Sequence, residues 1–280
     1  MKNYWSFSGL RSAVKKYWSF FRLRFSMGLQ YRIAAIAGMA TQFFWGGMNI
    51  LVYRAFYESD ASSFPMTLEA TCSYIWLQQA FLVLFAAWLL EHEIFDNIMN
   101  GNVAYEMCRP ISIYNMWFFR SVANRLSRAM LRCVPILVFA SFLPKPYGIS
   151  GPASLRHFGW FLLAMLLGFL VTVSFFMVVY GLTFFTISPN GLRMLISSVV
   201  EFFAGAIIPI PFFPEKVQAV LEVLPFASMQ NVPLRIYSGS MTDEQMVKAV
   251  VLQFVWLAVL VITGKLLCRL AEKKVVVQGG

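Results

Sequence analysis

The sequence predicts an all-α, polytopic membrane protein with six transmembrane helices, an N-terminal interfacial helix and a re-entrant outer hairpin between spans 5 and 6. Three observations carry that prediction. The 280 residues are 59% hydrophobic and only 13% charged, where a soluble domain holds about 25% charged residues. Uncharged runs of about twenty residues recur between charged brackets, the length a helix needs to cross a hydrocarbon core of about 30 Å. Lys and Arg are shared unevenly between the two sets of connecting loops.

Residues 1–32 read as an amphipathic helix. Val14, Trp18, Phe21 and Phe25 share one helical stripe, and Arg11, Lys15 and Arg22 lie on a stripe beside it. Such a helix lies in the membrane interface with its aromatics in the acyl boundary and its cations at head groups. Lys15, Lys16, Arg22 and Arg24 interrupt the segment, so it does not read as a cleavable signal peptide. Span 1 covers 33–53, between Arg32 and Arg54, and span 2 covers 71–90, ending at Glu91-His92-Glu93. Span 3 must begin near Trp117 to be long enough, and so carries Arg120, Arg125, Arg128 and Arg132 in its first half. Long arginine side chains can snorkel to head groups there, and Arg125, Arg128 and Arg132, on one helical face, read either as an anchor for lipid of the cytoplasmic leaflet or as guides for an anionic substrate, the anchor being favoured. Span 4 starts at His157 and is stopped by Ser188-Pro189-Asn190-Gly191. Span 5 runs over about 192–209 and contains Glu201, and span 6 covers 247–267.

With both termini cytoplasmic, seventeen of the 23 basic residues fall on the inner side and six on the outer, which sets the orientation. The expected organisation is therefore a cytoplasmic or interfacial helix over 1–32, a six-span domain over 33–268, and a cytoplasmic tail over 269–280. The expected location is the cytoplasmic (inner) membrane. A formal charge of +10 follows from loops that flank apolar spans, so it does not indicate a nucleic-acid partner. The four cysteines lack metal-ligand spacing and suggest no disulfide framework. Two lone histidines, His92 and His157, and one intramembrane acid make no catalytic cluster, so neither catalytic nor metal-binding residues are assigned.

Two segments carry more than hydropathy. Between spans 2 and 3, a coupling segment over 91–115 holds a short amphipathic helix with Ile94, Phe95 and Ile98, stopped by Gly101 and broken again at Arg109-Pro110. It reads either as a lever moved by a soluble partner or as an ordinary surface connector. Between spans 5 and 6, an outer hairpin over 210–238, preceded by Pro209, is too apolar for a solvated loop yet holds Pro211, Pro214, Pro225 and Pro233. One helix is expected over 214–224, and the irregular backbone around it must be buried against protein rather than lipid. Glu201 is an expensive acid inside a span. It reads either as a pathway residue or as the structural partner of an arginine such as Arg193.

These segments resemble the permease subunits of ABC-2 type transporters. The resemblance rests on Gly101…Cys108-Arg109-Pro110 after span 2 and on Gly205, Pro209, Phe213-Pro214, Leu224-Pro225-Phe226 and Pro233 after span 5. Met107-Cys108 stands where a leucine is more usual before Arg-Pro. The resemblance covers nearly the whole chain and implies architecture rather than chemistry. It implies two permease chains, alike or different, above two ABC ATPase subunits. The coupling contacts would be Glu93, Phe95, Ile98, Gly101, Arg109 and Pro110. The pathway and gate candidates are Glu201, Pro209, Pro214 and Phe226. No GxxxxGK[ST] phosphate loop occurs, and Gly264-Lys265 is followed by Leu266. No cofactor is expected in this chain, with ATP and Mg bound by the partner, which would drive export of an amphipathic drug, peptide or lipid-like substrate. A secondary transporter or an assembly subunit of another membrane complex is the alternative, although internal repeats with matching broken spans are not evident.

Overall fold

The computed structural model describes residues 7–273 except Pro110 and Ile187, with only the backbone described for 7–14 and Ser63. Among these residues the chain is helical, with no strand. The elements are α1 (Phe7–Gly28), α2 (Arg32–Asp60), α3 (Leu68–Phe85), α4 (His92–Met99), α5 (Val103–Met107), α6 (Ile113–Phe142), α7 (Leu155–Thr183), α8 (Pro189–Phe203), α9 (Glu215–Val223), α10 (Asn231–Tyr237) and α11 (Asp243–Glu272).

Five helices start at a hydroxyl. Thr67, Ser112, Ser154, Ser188 and Thr242 each accept a backbone N–H from the first turn of α3, α6, α7, α8 and α11, satisfying a donor that the helix cannot pair itself. Thr242 and Gln245 complete a reciprocal capping box.

Four helical stretches among the described residues are long and apolar enough to cross a membrane: Arg32–Asp60, Leu68–Met99, Leu155–Thr183 and Asp243–Glu272. The second joins α3, a 3-10 turn at Ala87–Leu89 and α4. The two other expected spans fall short for different reasons. α6 is 30 residues long but carries four arginines in its first two-thirds. α8 is only 15 residues long, which at about 1.5 Å per residue is too short for a hydrocarbon core. The expected span to Pro209 ends instead at Phe203, because Gly205 takes φ +78° and turns the chain.

α7 is the hub, packing on α11, α10, α6, α8, α3 and α4. α3 is buried continuously from Thr71 to Ala80. α2 and α11 stand outside, exposing Phe44, Leu51, Val255 and Ile262. Contacts fix the direction of each helix. His92 meets Arg193, so the start of α4 lies at the start of α8. Glu69 pairs with Lys145, and Arg156 with Asp243, at the opposite end. α2, α3, α6, α7, α8 and α11 thus alternate in direction.

α1 is not a helix lying apart. It packs along the first half of α6, with the Tyr17 and Phe119 rings stacked at 5.2 Å and Asn115 donating to the Tyr17 hydroxyl at 3.0 Å. The predicted aromatic stripe faces elsewhere: Trp18, Phe21 and Phe25 stack on one another at 5.4 and 5.6 Å, and Trp18 is exposed.

Candidate functional site

The short helices α4 and α5 form a projection at one end of the molecule. Ile94 and Phe95 are buried, and the Phe95 ring meets Tyr180 of α7 edge-on at 5.3 Å. Trp117 of α6 packs on the same Tyr180 at 6.2 Å. Polar links fasten the projection further. Arg120, on α6 and nearly fully buried, donates to Glu91 at 2.9 Å and also to Glu93. Glu91 accepts from Asn124 at 2.7 Å, and its backbone N–H donates to the Tyr180 hydroxyl at 2.9 Å. Glu106 on α5 is buried and accepts from the Trp117 indole at 2.7 Å and from Asn97 at 3.3 Å. A buried cation is tolerable only when paired and hydrogen-bonded in this way. A displacement of α4–α5 must therefore reach α6 through Arg120 and Trp117, α7 through Tyr180 and α8 through His92.

The expected coupling residues divide accordingly. Glu93, Gly101 and Arg109 are exposed, and Gly101 makes the α4–α5 turn with φ +72°. Phe95 is corrected: an apolar stripe on a helix at a protein edge turns inward, so Phe95 anchors the projection and offers no surface, and Ile98 is half-buried beside it. Pro110 lies outside the described residues. The exposed apolar tips are Met99, Met107 and above all Tyr105, whose exposure reaches 77%. Their signal was available, because Met99 and Tyr105 are apolar residues that fall off the buried stripe. Cys108 is exposed next to them, while Cys72 and Cys268 are buried, and all four cysteines are free.

Arg125 also departs from expectation. Only 4% exposed, it donates to the carbonyls of Val83, Leu84 and Ala86 at 3.0–3.3 Å and of Leu89 at 3.3 Å, and its guanidinium lies 4.7 Å from the Phe176 ring centre. It closes the carbonyl end of α3, which the helix leaves unpaired, and is no lipid-facing cation. Arg128 is exposed and Arg132 half-buried; on α1, Lys15 and Arg22 are exposed, and the side chain of Arg11 lies outside the described residues.

At the other end the chain between α8 and α11 is irregular but deeply packed. Pro209, Pro211, Pro225 and the whole stretch 227–236 are buried. Its carbonyls find side-chain donors from neighbouring helices: Gln78 donates to Ala206, Gln253 to Ser228 at 2.8 Å, and Trp256 to Val223 at 2.9 Å. The Tyr74 hydroxyl lies within reach of both Gly205 O, at 3.4 Å, and Asn231 Oδ1, at 3.3 Å. Buried non-helical backbone needs such donors. α9 matches the expected helix to within a residue at each end. Of its apolar residues only Leu221 is buried, and Val217, Val220 and Val223 face outward. Arg235, buried on α10, pairs with Glu222 on α9. Phe226 is half-buried against Phe175 at 5.5 Å, and Pro214 is exposed.

Glu201 lies on α8, half-buried, within reach of the Trp88 backbone N–H. Its Oε1 is buried and has no hydrogen-bond partner. Arg193, the partner considered from sequence, is engaged with His92 instead.

No curated protein matches the chain. A family model described as ABC-2 family transporter protein matches residues 28–279. That stretch takes in the end of α1, every long helix, the α4–α5 projection and the packed segment between α8 and α11, so the chain belongs to the ABC-2 transporter family as a membrane permease.

Proposed function

We propose that this chain is the transmembrane subunit of an ATP-driven exporter, placed in the cytoplasmic membrane with both termini and α4–α5 on the cytoplasmic side. The α4–α5 projection carries this reading, since its tip is exposed and its base is tied to α6, α7 and α8. Family membership implies an ABC ATPase partner. Two such subunits would seat beneath two permease chains, the same or different, and would hold ATP and Mg. No residue of this chain makes or breaks a covalent bond. ATP-driven closure of the ATPases would push α4–α5 and, through Arg120 and Trp117, tilt α6 and α7 so that a midline pathway opens outward. α6, and α8 with the irregular segment that continues it, would complete the six crossings. The segment over 210–238 would gate the outer exit. Exposed Phe, Met and Leu on α2 and α8 suit an amphipathic drug, peptide or lipid-like substrate, and Glu201 would lie on its path.

The test is recovery of the tagged chain from its native membrane in mild detergent, followed by identification of whatever accompanies it. An ABC ATPase is expected with the wild type. Tyr105→Glu and Arg109→Glu should each lower its recovery about tenfold, equivalent to about 1.4 kcal/mol, without lowering the amount of permease. Recovery of the chain alone in several detergents would point to a secondary transporter or an assembly subunit. Full recovery with both variants would move the docking surface away from α4–α5.

A further inference from the structure

A cavity of ≈ 640 Å³ opens at the α4 end, between the elbow joining α1 to α2 and the first half of α6. Five arginines line it: Arg24, Arg120, Arg125, Arg128 and Arg132. Two are already satisfied, Arg120 by Glu91 and Glu93, and Arg125 by the carbonyls of α3. The other three have no carboxylate partner among the described residues. Arg132 donates one long bond to Ala34 O at 3.4 Å, while its Nε is buried without a partner. Its guanidinium rests on bare backbone, because a Cβ at Gly38 would stand 2.5 Å from the Arg132 Cζ. The start of α2 adds charge of the same sign. Tyr31 offers no side-chain cap, and Ala34 and Ala35 of its first turn line the cavity, so the positive end of a long helix adjoins the same space.

Concentrated, uncompensated cations in a concave site favour an anion, and the arginine fork matches the oxygens of a phosphate. The depth of the cavity identifies the source. It lies where α2 begins and α3 ends, the level at which a crossing helix meets the head groups, and half-exposed Trp88 lines it there. We infer that this cavity binds the phosphate of an anionic lipid from the leaflet nearest α4, held by Arg128 and Arg132 with Arg24 at the rim. The lipid would brace the α1–α2 elbow against α6, the helix that also receives α4–α5. The inference rests on the membrane reading above and adds a ligand and a site to it.

Full-length chain purified in neutral detergent and weighed by native mass spectrometry tests it, with phosphatidylglycerol, phosphatidylcholine and inorganic phosphate as probes. One phosphatidylglycerol should be retained at concentrations about tenfold below those needed for phosphatidylcholine. Arg128→Gln and Arg132→Gln should each lower that retention about tenfold, and Lys216→Gln, on an exposed position of α9 outside the cavity, should leave it unchanged. Arg24→Gln, at the half-buried rim, serves if Arg132→Gln does not fold, and should lower retention in the same direction. Equal retention of the two lipids, or retention indifferent to the arginines, overturns the inference. Displacement of the lipid by millimolar phosphate overturns the lipid source and assigns the site to a soluble anion. No arm involves an ATPase, so failure here and failure of the exporter reading remain separate results.

Discussion

The two ends of this permease are fastened by different chemistry. At the α4 end the links are charged: Arg120 with Glu91 and Glu93, Glu106 with the Trp117 indole, and Arg125 with the carbonyls closing α3. At the α10 end the irregular backbone is held mostly by neutral donors, from Gln78, Gln253 and Trp256, and by the pair Arg235–Glu222, while the other ion pairs there, Glu69–Lys145 and Arg156–Asp243, are exposed. Charge-assisted bonds are about twice as strong as neutral ones. The first end is thus the stiffer, as the proposed coupling role would require. The second is held by many small interactions that can be exchanged one at a time, as the proposed gate would require.

Arg125→Met should have the largest effect, because it removes a guanidinium that serves four carbonyls and leaves them buried. We expect a loss of roughly 3 kcal/mol or more, read as a fall in denaturation midpoint and in membrane yield, with Arg125→Lys falling between. If Arg125→Met is as stable as wild type, the charged end is not the stronger one. Trp117→Phe comes next. It keeps the ring packing on Tyr180 but strips the donor from the Glu106 carboxylate, costing about 1.5–3 kcal/mol. It should also uncouple ATP hydrolysis from transport more than its stability loss explains. Gln253→Leu should cost only about 1 kcal/mol, and a loss matching that of Arg125→Met would erase the contrast between the ends. Glu201→Gln should leave stability unchanged, since the carboxylate has no cationic partner to lose. Reduced transport by a well-assembled Glu201→Gln complex would put that acid on the pathway, and unchanged transport would remove it.

The uncharged runs made α2, α3, α7 and α11 legible, because burial in lipid demands a composition that nothing else does. α6 was harder. Its arginines read as lipid anchors because the groups that satisfy two of them, Glu91, Glu93 and the α3 carbonyls, lie some thirty to forty residues earlier, and no local pattern reports such pairing. α8 was read too long for a related reason. Residues 204–209 are as apolar as a helix, and only the positive φ of Gly205 and the donors Gln78 and Tyr74 show that the chain there is not one. In the projection the sequence located the turn at Gly101 and the apolar stripe correctly. It misassigned Phe95 because a stripe says which residues share a face, not which side of the helix the protein occupies. Tyr105 lies off that stripe, so the helical period alone does not mark it as exposed surface.

The Arg125 clamp also bears on how the protein is made. α3 leaves the ribosome about forty residues ahead of the arginine that closes its last carbonyls, and synthesis proceeds at about 5–20 residues per second. For those seconds the second long helix sits in the bilayer with a frayed end, which only the arrival of α6 can complete. The clamp thus ties completion of α3 to the later insertion of α6, and a chain truncated before Arg125 should hold α3 less firmly in the membrane than one that extends past it.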